Sequence, residues 1–72
     1  MTFQAYLDAV KTKTGLTPDG ILGLAKARGV YSPAMKATDL INLLKDEFDL
    51  GRGHSMSVWA VFKARGWVEA AK

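Results

Sequence analysis

Cysteine is absent from all 72 residues, which excludes a disulfide framework, a thiolate metal site and a cysteine nucleophile. Long apolar runs are missing as well, so no membrane span is expected. The start Met1-Thr2-Phe3-Gln4 lacks the basic segment and apolar stretch of a secretory signal, and the chain is expected to be cytoplasmic. There is a single histidine, His54, with no carboxylate at ligand spacing on its helix, so no metal is expected. Strand alternation is missing too, which argues against a sheet. Finally, a chain of this length has little room for a deep catalytic cleft. His54, Ser55 and Ser57 lack an evident carboxylate partner, so these serines are expected to cap a helix, and no enzyme or cofactor is foreseen.

What is present suits one small helical domain spanning residues 1–72. A core of this size is near the lower limit of what folds without staples, so nearly every apolar residue is needed for packing. Ten Lys and Arg against seven Asp and Glu give a formal charge of +3, and the charges are scattered. Asp39, Asp46 and Glu47 put acid on one helix, which leaves Arg52, Lys63 and Arg65 as contributors to any basic face that would attract an anionic partner.

Capping signals predict four helices. Thr2 is an N-cap for a helix to about Lys13, with Phe3, Tyr6, Leu7 and Val10 on one apolar face, and Gly15 stops it. Thr17-Pro18-Asp19 combines an N-cap hydroxyl, a first-turn proline and a first-turn acid, starting a second helix to about Arg28. Its buried residues should be Ile21, Leu22, Leu24 and Ala25, with Gly23 allowing a neighbouring helix to approach closely. Ser32-Pro33 marks a turn. The third helix is expected from Thr38-Asp39 to near Asp49, with Leu40, Ile41, Leu44 and Phe48 as its stripe and Leu43 at the margin. The fourth should begin between Gly53 and Ser55 and reach about Arg65, with Met56, Trp59, Ala60 and Lys63 on one face and Val58, Phe62 and Arg65 on the next. Lys63-Ala64-Arg65-Gly66-Trp67 echoes Lys26-Ala27-Arg28-Gly29-Val30, the same stop chemistry used twice, and residues 69–72 should fray.

The most unusual chemistry gathers at Leu50-Gly51-Arg52-Gly53-His54-Ser55-Met56-Ser57. A glycine-rich hairpin between the third and fourth helices would aim unpaired first-turn amides outward, at the positive end of a helix dipole, with Arg52 beside them. With Gly51 taken as the terminator, the residue after it is Arg52, where the other three stops have Leu16, Val30 and Trp67. Gly51, Arg52, Gly53, His54, Ser55 and Ser57 are therefore the candidate anion or phosphate site, with Lys63 and Arg65 as auxiliary cations. Trp59, Phe62 and Trp67 could instead form an interface for a protein partner or a second copy, although in so small a chain such aromatics are more often core.

Two resemblances follow from these residues. Lys13-Thr14-Gly15-Leu16-Thr17-Pro18 and Leu50-Gly51-Arg52-Gly53-His54, with Phe3 and Tyr6-Leu7, resemble a family of short bacterial helical domains of unknown function that share Thr-Gly-x-Thr-Pro and Leu-Gly-x-Gly-His elements. That resemblance covers roughly residues 3–62 and implies a compact helical module without implying an activity. More loosely, Leu50, Gly51, Gly53 and Ser57 resemble the helix-hairpin-helix element of DNA-binding proteins, from which Arg52 departs in the apolar middle position. Together the expectations are an all-α bundle of four short helices and a non-catalytic binding module. Its partner would be a nucleic-acid backbone or, alternatively, a protein or a second copy.

Overall fold

Thr2 and Thr17 open the first two helices as their hydroxyls predict. In the computed structural model, which describes residues 2–69, the helices are α1 (Phe3–Thr14), α2 (Pro18–Ala27), α3 (Ala37–Phe48) and α4 (Arg52–Ala64). Thr2 Oγ1 accepts from the Ala5 amide at 3.1 Å and Thr17 Oγ1 from the Gly20 amide at 3.4 Å, each satisfying a first-turn donor. The fold is all-α, with no strand among the described residues.

The echo between the two Lys-Ala-Arg-Gly stops holds in detail. Gly29 and Gly66 sit at φ 71° and 72°, and each closes its helix with the same pair of bonds. Gly29 N–H donates to Lys26 O at 3.1 Å and Val30 N–H to Ala25 O at 2.9 Å; the matching bonds from Gly66 to Lys63 and Trp67 to Phe62 measure 3.1 and 3.0 Å. This double closure satisfies carbonyls that a helix end would otherwise leave unpaired.

The third helix lies within one residue of its expected bounds, but the residues that cap it differ. It starts at Ala37, because the Asp39 carboxylate reaches back to accept the Lys36 N–H at 2.9 Å, one arm of a capping box. It stops at Phe48, because Asp49 takes the left-handed conformation, φ 53°, that glycine fills elsewhere. Leu50 follows it and is 1% exposed, so Leu50 is the apolar residue closing this end. Like the other three, this stop is a left-handed residue followed by an apolar one, and Gly51 is no terminator: it lies at φ −68°, ψ 159° and precedes α4 as its N-cap. Helix α4 accordingly begins at Arg52, earlier than the sequence suggested.

Helix α4 is the element the others pack around, since it touches α1, α2 and α3. Its Val58, Trp59 and Phe62 meet Val10 of α1, Ile21 and Ala25 of α2, and Leu40, Leu43 and Leu44 of α3 in one apolar core. Leu43 belongs to that core and not to the margin, whereas Phe3, expected on the apolar face of α1, is half exposed. Burying a side chain of the size of Phe62 contributes about 1.5–3 kcal/mol. At roughly 0.05–0.15 kcal/mol per residue a chain of this length retains a net stability of about 4–11 kcal/mol, so each such residue is a large share of it. At Gly23 a side chain would meet nothing within 4 Å, so no helix approaches there; at Gly20 it would press on Leu16 at 3.2 Å.

The segment after α4 folds back as expected. Trp67 packs edge-on against Phe62, with ring centres 5.2 Å apart, and its carbonyl accepts from the Tyr31 hydroxyl. Val68 is buried, and the Glu69 amide donates to Pro33 O at 2.7 Å, so Glu69 is held in place; the remainder of the stretch expected to fray, 70–72, lies outside the described residues. An exposed ion pair, Arg28 to Glu47 at 2.9 Å, joins α2 to α3. Pairs of this kind contribute at most about 1 kcal/mol.

Candidate functional site

The connection between α3 and α4 is three residues long, Asp49, Leu50 and Gly51, and its geometry follows from the side chains around it. Lys45 Nζ pairs with the Asp49 carboxylate at 3.1 Å, and Lys13 Nζ reaches across from α1 to the Asp49 carbonyl at 3.1 Å. Lys45, by hydrogen bond and by charge, and then Lys13 hold the Asp49 carboxyl below its usual value of 3.8. The one acid of this turn is thus matched by two cations.

Beyond it, Gly51 carries no side chain to cap α4. The first intrahelical bond is Ser55 N–H to Gly51 O, at 3.0 Å, so the amides of Arg52, Gly53 and His54 precede the ladder and are left without intrahelical acceptors. Arg52 is exposed, and among the described residues its guanidinium has no ion-pair partner. His54 is half-buried, with its ring edge-on to Tyr6 of α1 at 5.1 Å between centres. Gly51, Arg52, Gly53 and His54 are therefore brought together at one exposed end of the central helix, flanked by Lys13 and Lys45.

The serines belong elsewhere. Ser55 is fully buried and donates to Gly51 O at 3.0 Å; Ser57 donates to His54 O at 2.6 Å. Both hydroxyls tie down carbonyls of their own helix, so neither caps α4 nor faces the uncapped amides. Lys63 lies at the opposite end of α4, which the helical rise puts roughly 17 Å from Arg52. Arg65, just beyond it, lies 3.6 Å from the Asp19 carboxylate and 5.4 Å from the centre of the Trp67 ring. Neither can join Arg52 in one basic face. Trp59 and Phe62 are core residues, 4% and 0% exposed, and only Trp67 of the three aromatics reaches the surface in part.

A pocket of about 440 Å³ stands at the other end of the α3–α4 pair, formed by residues 34–38, Trp59 and Glu69. Nothing in the sequence signals it, because its walls come from three separated segments that only the folded chain assembles. Among the described residues there is no cluster of three or more His, Asp or Glu able to hold a metal ion, and no helix long and apolar enough to cross a membrane.

No curated protein and no solved structure matches the chain. One family does: the profile described as Domain of unknown function (DUF4287) matches residues 2–64, from the N-cap Thr2 of α1 to the last residue of α4, and the chain belongs to that family.

Proposed function

We propose that this domain is a non-catalytic binding module that engages a phosphate-bearing partner, foremost a nucleic-acid backbone, through the start of α4. The observation supporting this is the uncapped first turn: the amides of Arg52, Gly53 and His54 have no intrahelical acceptors, and Arg52 in the same turn carries a guanidinium with no ion-pair partner among the described residues. Backbone amides and a dipole end bind phosphate oxygens without reading bases, and arginine adds a bidentate, charge-assisted contact. Lys13 and Lys45 neutralise Asp49, so the nearest carboxylate opposes an approaching anion least. Binding of this kind is salt-dependent and tolerant of sequence.

The test is Arg52→Ala. Loss of one phosphate contact reduces the slope of log K against log salt by about 0.9 on duplex and about 0.7 on single strand. Weakened binding with that reduction supports the assignment; an unchanged slope contradicts it. A dimer or protein interface built on Trp59, Phe62 and Trp67 has less support, because the first two are internal; the exposed large apolar residues are Phe3 and Met56.

A further inference from the structure

Along its solvent side α4 presents Arg52, Met56, Ala60 and Lys63 in one line at helical spacing, between the buried Trp59 on one flank and Ser57 on the other. Arg52, Met56 and Lys63 are exposed and Ala60 is half-buried. Eleven residues make close to three whole turns, so the two cations stand in line at its ends, roughly 17 Å apart. Met56, between them, is 38% exposed, one of two large apolar residues left at the surface of the described chain. No Asp or Glu occurs in residues 52–64. Arg28, Lys45 and Arg65 each have a carboxylate within 3.6 Å, whereas Arg52 and Lys63 have no ion-pair partner among the described residues. The line therefore reads cation, apolar, small, cation.

Its complement is acid, apolar, acid. A second copy does not supply that through the same line, because parallel or antiparallel pairing sets cation against cation. A phosphate backbone does not suit the middle of the line, where the amides are used in the helical ladder and Met56 and Ala60 have nothing to donate. We propose that this line docks an acidic amphipathic helix of another protein. Two carboxylates eleven residues apart on that helix have the same rise as Arg52 and Lys63, and the apolar side chains between them cover Met56. Ala60 lets the two helix axes approach, and methionine adapts its shape to what covers it. The surface is separate from the first-turn amides that would hold a phosphate; Arg52 alone belongs to both.

The probe is a helical peptide with two glutamates eleven residues apart and two leucines between them on the same side, titrated into the full ¹⁵N-labelled chain. Saturable shifts running from Arg52 through Met56 and Ala60 to Lys63 are expected, and replacing both glutamates by glutamine should weaken binding about tenfold. Lys63→Gln and Met56→Gln should each weaken it several-fold while leaving phosphate binding at the start of α4 unchanged, which separates this proposal from that one. Both positions are exposed, so the fold survives either change. An absence of saturable shifts along the line overturns the proposal, as does equal affinity for the glutamine peptide or an affinity that neither variant alters. Shifts at Met56 and Lys63 with a DNA single strand and not with the peptide would assign the line to nucleic acid instead. Shifts there that depend on the concentration of the free chain would assign it to a second copy; either result overturns the acidic-helix assignment.

Discussion

Replacing Gly51 by serine separates what the start of α4 does for the fold from what it does for a partner. Gly51 lies at φ −68°, ψ 159°, a conformation any residue adopts, and an added Cβ would meet only His54 Nδ1 at 4.0 Å. Serine can therefore enter without strain and accept an N–H from the first turn, which adds a few tenths of a kcal/mol over a glycine cap. Removing a glycine from the unfolded chain adds about 0.4–1 kcal/mol more. The sum is roughly 0.7–1.3 kcal/mol, or a rise in Tm of about 3–10 °C for a domain of this size. The same serine occupies an amide that the partner would use, weakening phosphate binding by about 0.5–1.5 kcal/mol, a factor of roughly 2–12. Thermal unfolding followed by circular dichroism gives the first quantity, and a binding titration at fixed salt gives the second. A lower Tm would refute the cap geometry. A higher Tm with unaltered affinity would refute the assignment of this helix end as the site.

Asp49 carries an acid-linked part of the stability: its carboxyl is held below 3.8 by Lys45 and Lys13, so it stabilises the fold fully above that pH and ceases to as pH falls through its lowered folded value. Asp49→Asn should flatten the pH dependence of urea unfolding below about pH 4, and a carboxyl that titrates at or above its usual value by NMR would contradict this. In the middle of α2, Gly23→Ala should stabilise by about 0.5–1 kcal/mol, since the position is helical and open. A loss of stability on urea unfolding would show that something approaches there after all.

Helix positions were legible because the signals that start and stop them are local. Thr2, Thr17-Pro18, Gly15, Gly29 and Gly66 each act through bonds to residues within a turn or two, and each acts where expected. The one misplaced stop has a physical cause. Asp49 adopts a left-handed conformation that aspartate tolerates but glycine prefers, and two glycines immediately downstream carried the stronger sequence signal. The error carried over to the site: with Leu50 as the closing residue, Arg52 displaces nothing, and what supports phosphate binding is the uncapped turn it belongs to. The bonds of Ser55 and Ser57 to carbonyls, the distance of Lys63 from Arg52, and the pocket between residues 34–38, Trp59 and Glu69 depend on rotamers and tertiary packing, which helical periodicity does not encode.

The most direct test of the α4 assignment is an amide NMR titration of the full chain with a short duplex and with a single strand, each at two salt concentrations. Salt-sensitive shifts confined to residues 51–54 and the neighbouring Lys13 and Lys45 are the predicted result. An absence of shifts there with either nucleic acid would contradict the account and reduce this stretch to a structural turn.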